Sequence, residues 1–139
     1  MIERWDIEKL LKLQESKGEL YSYQIIAILM ALENFAGKNE CGIRLYQSWI
    51  KSRNKRDPYV STIDLAVLAR SFEIHGFSDQ FPLDVDPTDN LLSGGTHRTA
   101  CAIFCNLDQV PVRRVRRTGP RADNPKYYGI DYFSNSSFF

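Results

Sequence analysis

The residues best equipped for chemistry stand together in the run Ser93-Gly94-Gly95-Thr96-His97-Arg98. Glycines admit positive φ and let a ligand approach main-chain N–H groups without meeting a Cβ. The helix that Thr96 is expected to open adds a field. Its first-turn N–H groups lack intrahelical partners and carry about half a positive charge, so geometry and dipole together stabilise an anion there. Arg98 can fork two hydrogen bonds onto phosphate oxygens, and His97 can donate from either ring nitrogen according to its tautomer. In this reading the Gly94 and Gly95 backbone cradles a phosphate, Ser93 opens the turn, Thr96 caps and donates, His97 orients the ligand and Arg98 neutralises it. The bland account is an ordinary Gly-Gly turn, with Thr96 an N-cap, His97 a half-buried spacer and Arg98 half of a surface ion pair.

Other groups are weaker candidates. Asp84 and Asp86 fall on one side of an expected strand and could hold Mg²⁺ against a phosphate through hard oxygen ligands. A solvated strand entering a turn at Pro87 is the simpler account of them. Asp64, Glu73 and Glu33 are further candidate bases, among which the sequence does not choose. His97, Cys101 and Cys105 recur at four-residue spacing, but a rise of about 1.5 Å per residue separates the outer two by about 12 Å, too far to share one ion. The cysteines read as buried apolar residues. Arg114 and Arg116 alternate with Arg113 and Arg117 along the last expected strand, where one face could reach a polyanion. With Tyr127, Tyr128 and Tyr132 downstream, contact with nucleic acid is the functional reading; an edge strand protected by charge is the competing one.

These residues need elements to position them. Ser61 or Thr62 is expected to cap a helix that ends at Gly76, with Ile63, Leu65, Ala66, Leu68, Ala69, Phe72 and Ile74 on its apolar face. Phe81 to Asp86 alternates as a strand, Pro87-Thr88-Asp89-Asn90 forms a turn, and Leu91-Leu92 ends a second short strand. The helix from Thr96 to about Leu107 leads into a strand at Val110-Pro111-Val112, which can lie parallel to the strand before the helix. Residues before about Pro58 read as three helices, roughly Asp6 to Ser16, Ser22 to Ala36 and Gly42 to Lys55, with Asp57-Pro58 ending this helical half. Thr118 to Pro125 is a loop by composition.

That order of helix, strand, hairpin, strand, GGTHR helix and VPV strand resembles the ParB/sulfiredoxin superfamily. The resemblance covers about half of the chain, from roughly Ser61 to Val115, and includes Ser71-Phe72-Glu73-Ile74-His75-Gly76 as a family-like helix end. It implies an α+β fold: a ParB/sulfiredoxin-like core, a small mixed sheet with helices, preceded by an N-terminal helical segment. Sulfiredoxins carry a cysteine nucleophile where this chain has Thr96. A hydroxyl cannot replace a thiolate, so sulfinic-acid reduction is not expected. ParB partition proteins bind a nucleotide triphosphate through a related motif, but Thr99 stands where their second arginine falls, and no helix-turn-helix follows the core. Stand-alone small-molecule kinases of the superfamily need no thiol, because phosphoryl transfer works mainly by positioning and charge neutralisation. Tyr128-Gly129-Ile130-Asp131-Tyr132-Phe133 is similar to the tail of ParB-like proteins encoded in bacterial surface-polysaccharide loci.

The bulk numbers agree with one domain. The chain has 139 residues, 43% of them hydrophobic, and a formal net charge of +1, which suits a single globular core and argues against a protein built chiefly to coat nucleic acid. It divides into N-terminal helices (1–57), the core (58–117) and a basic, aromatic tail (118–139). Three cysteines without paired spacing fit a reducing, cytoplasmic compartment, and no secretory signal is expected at the start. The longest uncharged run, Leu20 to Leu32, has about 13 residues against roughly 20 for a membrane-spanning helix. The expected activity is therefore phosphate transfer from ATP or another nucleotide, with Mg²⁺, to a small-molecule acceptor. The alternative is a non-catalytic, nucleotide-responsive module that contacts nucleic acid or a protein partner.

Overall fold

In the computed structural model, residues 1–17, 19–53 and 56–116 are described. The elements run β1 (Ile2–Asp6), α1 (Ile7–Lys17), α2 (Glu19–Phe35), α3 (Gly42–Arg53), α4 (Pro58–His75), β2 (Leu83–Val85), α5 (Thr96–Phe104) and β3 (Gln109–Arg114). The sheet has the order β1-β3-β2, with β1 antiparallel and β2 parallel to β3. This is the expected small α+β architecture with a mixed sheet. Among the described residues no helix is long and apolar enough to cross a membrane.

The first strand corrects the reading of the N-terminal part as helices alone. Ile2 to Asp6 pairs along β3, with Trp5 opposite Val110 and Asp6 opposite Gln109. The partner lies more than a hundred residues away in sequence, so the short stretch offers only Trp5, which is 5% exposed, as a local sign of its buried face. β3 is consequently the middle strand, not a charged edge. Its exit arginines stand beside acids of both neighbours: Arg113 Nε and Nη2 reach Asp84 at 3.1 and 3.4 Å, and Arg114 Nε reaches Glu3 at 2.8 Å. The Arg114 hydrogen bond, helped by that of Trp5, holds the Glu3 carboxyl below its ordinary value.

The second correction concerns Asp57-Pro58, which starts α4 and does not merely end the helices before it. Asp57 Oδ1 accepts from the backbone N–H groups of Tyr59 and Val60 at 2.8 and 3.1 Å, and Pro58 occupies the first helical turn. Proline fits there because its fixed φ is helical and its missing N–H would have had no intrahelical partner. Thr62, expected as a cap, instead donates its hydroxyl to the Pro58 carbonyl at 2.7 Å. The earlier start also fixes which face is buried. Ser61, Leu65 and Phe72 face inward, whereas Ile63 and Ile74, expected on the apolar face, are 63% and 59% exposed. Asp57→Ala should lower stability by about 1 kcal/mol through loss of the cap, read as a lower urea midpoint; an unchanged midpoint would remove Asp57 as the determinant of this helix start.

α2 packs against α1, α3, α4 and α5, with Ile25, Ala27, Ile28, Ala31 and Leu32 buried, as its nearly unbroken apolar run requires. Tyr46 and Trp49 of α3 are fully buried. Between β2 and α5 the chain makes a hairpin-like loop in which Asp86 N–H donates to Leu91 O and Ser93 N–H to Asp84 O. Leu91-Leu92 forms no separate strand; Leu92 makes one antiparallel bridge with Val85, and β2 is the parallel partner of β3. α5 stops at Phe104, short of Leu107, because Asn106 adopts a left-handed φ of 57°.

Candidate functional site

The Gly-Gly turn delivers the chain into α5 by a route that needs glycine. Gly94 and Gly95 have φ of 125° and 82°, and Gly95 is the N-cap of α5, with no side-chain hydrogen bond capping the helix start. A Cβ on Gly95 would stand 2.6 Å from Leu83 Cδ2 and 3.1 Å from Arg98 Nη2. The turn therefore lies tight against β2 while leaving the polar end of the helix to other partners. Thr96, expected to cap, does not; it is the first helical residue and is buried. Thr99 Oγ1 donates back to the Gly95 carbonyl at 2.9 Å.

Arg98 bends back and does not project into solvent. Its Nη1 donates to the Phe81 and Pro82 carbonyls at 2.5 and 3.0 Å, while its Nη2 lies by Gly95. Burial lowers its pKa, with the charge of Asp84 opposing that shift, and a guanidinium so placed remains cationic. His97 is held from the other side. Its Nε2 lies 2.9 Å from the Tyr46 hydroxyl, and its ring centroid is 5.8 and 6.0 Å from those of Tyr46 and Trp49. Tyr46 in turn donates to the Ser61 carbonyl at 3.4 Å.

These groups surround a cleft of about 310 Å³. The α5 side presents Gly95, His97 and Arg98; the opposite side presents Ser61 and Asp64 of α4 with Arg56 just before it; Leu65 and Leu68 supply apolar surface. Arg56 and Asp64 form an ion pair with both side chains more than half exposed. Ser61 is 2% exposed, and its Oγ finds no hydrogen-bond partner among the described residues. A larger groove of about 560 Å³ runs along the start of α1, between Asp6, Glu8, Lys9, Lys12 and Asp108. Its charges are of mixed sign and it contains none of the phosphate-binding candidates, so size alone does not make it the site.

The structure brings together only part of the expected constellation. Gly95, His97 and Arg98 line the cleft; Ser93 and Gly94 are exposed outside its lining, and Thr96 is buried behind it. Asp84 is engaged by Arg113. Asp86 lies beyond the end of β2, is buried, and accepts from Thr88 N–H at 2.8 Å in a local turn. Neither aspartate lines the cleft, and no group of three or more His, Cys, Asp or Glu side chains among the described residues is placed to hold a metal. Of the candidate bases, Asp64 lines the cleft, while Glu73 pairs with Arg70 on an exposed surface and Glu33 is not among the lining residues. Cys101 is buried and its thiol is pushed up to about 12 by desolvation, then by Cys105, in keeping with its reading as an apolar residue.

Of the arginines proposed to meet a polyanion, Arg114 bonds Glu3 and Asn90 and covers the Trp5 ring. Arg116 is exposed. Arg117, and the tail with Tyr127, Tyr128, Tyr132 and the segment to Phe133, lie outside the described residues. Sequence reasoning missed Tyr46, Arg56 and Ser61 as site residues. The available signal was Asp57-Pro58 read as a helix start, which puts Ser61, Asp64, Leu65 and Leu68 on one helical face. Comparison with known proteins gives no match to a family model, to a curated protein or to a solved structure.

Proposed function

We propose that this cleft binds the phosphate end of a nucleotide, ATP or a relative of it, and that the protein is a ParB/sulfiredoxin-like phosphotransferase of the small-molecule kinase type. One observation carries the reading: the start of α5, whose N-cap Gly95 has no side chain to cap it, shares a cleft with a guanidinium, an imidazole and a buried serine hydroxyl that lacks a partner among the described residues. A helix start, a guanidinium and a buried hydroxyl facing one space suit an anion with several oxygens, and phosphate is a biological anion that can engage all three. Arg98, braced by two carbonyls, supplies fixed positive charge; His97, braced by Tyr46, is held beside it on the same wall. Positioning and charge neutralisation of this kind are what phosphoryl transfer chiefly requires. Mg²⁺ would be held mainly by phosphate oxygens, with Asp64 the carboxylate nearest to hand in the cleft. Binding of nucleic acid through Arg114 and Arg116 has less support, since Arg114 already has acidic and aromatic partners.

Thermal unfolding with ATP, ADP, CTP and GTP, each with and without Mg²⁺, tests the proposal. A ligand at a hundred times its dissociation constant adds about 2.7 kcal/mol. The expected result is a nucleotide-specific rise in melting temperature that Arg98→Ala abolishes. The substitution itself should cost about 1 kcal/mol, because it also removes the contacts with the Phe81 and Pro82 carbonyls. A folded wild-type protein that shows no rise with any nucleotide would overturn the reading.

A further inference from the structure

We infer that the phosphate site has a second wall, in which Ser61 and Arg56 take phosphate oxygens from the α4 side while Asp64 competes with the ligand for Arg56. This rests on the phosphate-binding reading of the cleft and specifies the kind of anion it accepts. All three residues line the cleft across from Gly95, His97 and Arg98. Ser61 is the telling member: its hydroxyl is almost wholly buried and unpartnered among the described residues, a costly condition unless a ligand oxygen completes it.

Arg56 differs from Arg98 in how it is held. Arg98 is tied to backbone carbonyls, whereas Arg56 pairs with the carboxylate of Asp64, and those side chains are 55% and 54% exposed. An exposed pair of this sort is weak and readily exchanged. A phosphate entering the cleft offers Arg56 a bidentate partner of higher charge, but it also meets the negative charge of Asp64. A singly charged anion is repelled less by Asp64 but also gains less from Arg56 and Arg98, and two cations against one carboxylate leave the balance with the dianion. The site thereby selects a doubly charged terminal phosphate over monoanions of similar shape.

Methyl phosphate and methyl sulfate, a dianion and a monoanion of nearly equal shape, serve as probes at pH 8, with binding followed by calorimetry on the full chain. Methyl phosphate should bind at least about tenfold more tightly than methyl sulfate. Arg56→Gln should weaken methyl phosphate about tenfold. Asp64→Asn should tighten it about threefold and widen the gap between the two probes, because it removes a carboxylate that repels the dianion more than the monoanion but keeps the shape. Ser61→Ala should weaken binding several-fold while leaving the unliganded melting temperature unchanged or higher, since it deletes an unsatisfied buried group and improves helix propensity. A merely structural serine would show the reverse. Weaker binding in Asp64→Asn, or wild-type binding in both Ser61→Ala and Arg56→Gln, overturns the second wall. If Arg98→Ala alone abolishes binding, the phosphate site stands and this inference falls. Absence of methyl phosphate binding to the folded wild type overturns both.

Discussion

Replacing Gly42 by alanine is expected to lower the stability of the protein by about 3 kcal/mol, the upper end of the range for forcing a methyl group into a filled space. Gly42 opens α3 where that helix crosses α2, and a Cβ there would lie 1.9 Å from the Met30 carbonyl oxygen and 2.4 Å from its carbon. The obstacle is backbone, so no side-chain rotation relieves it. The surrounding hydrogen bonds prevent α3 from sliding away. Asn39 Oδ1 accepts from Gly42 N–H at 2.8 Å and Asn39 Nδ2 donates to the same Met30 carbonyl at 3.0 Å, while Asn34 Oδ1 accepts from Ile43 N–H at 3.0 Å. Tyr46 and Trp49 lie one and two turns further along α3, beneath His97, so the displacement should also weaken phosphate binding. A urea unfolding curve measures the effect; a loss of less than about 1 kcal/mol would show that the contact between the helices yields easily and that α3 is not fixed by its start.

How much of this was legible in the sequence depended on the range of the interactions. The turn at Ser93 to Gly95 and the helix after it were readable because glycine and helix-forming residues act locally. A parallel partner for β3 was expected from chain-crossing rules, but at Leu91-Leu92; that partner is β2, one hairpin earlier. By contrast, the strand character of Ile2 to Asp6 comes from pairing with β3, and nothing nearby in sequence encodes that partner. Pairing of β3 with β1 on one side and β2 on the other turned Arg114 and Arg113 from a basic stripe into members of two cross-strand ion pairs. Arg98 was legible as a cation, but its direction was not: the carbonyls of Phe81 and Pro82 that hold it belong to the approach to β2. For the α4 wall of the cleft the local information was present in Asp57-Pro58 and was assigned to the wrong side of the boundary.

A substitution remote from the cleft tests whether the turn's position is imposed by α1. Gln14 is 1% exposed; its Nε2 donates to the Asn90 carbonyl at 3.1 Å and its Oε1 accepts from Leu92 N–H at 3.0 Å. One side-chain amide thus satisfies two main-chain groups of the loop that leads from β2 to Ser93. Gln14→Leu keeps most of the volume but removes this partner from the buried Leu92 N–H and the part-buried Asn90 carbonyl, for an expected cost of about 2 kcal/mol. Because Ser93 N–H is bonded to the Asp84 carbonyl and Gly95 lies against Leu83, loosening at Leu92 should reach the start of α5 and lower phosphate affinity as well as stability. Amide hydrogen exchange separates this from a general loss of stability. The Leu92 amide should lose protection through a local opening at low denaturant, while amides in the middle of β3 exchange only with global unfolding. If Leu92 instead remains as protected as β3 in Gln14→Leu, another group holds the loop, and the register of the phosphate turn is set from within the hairpin and not by α1.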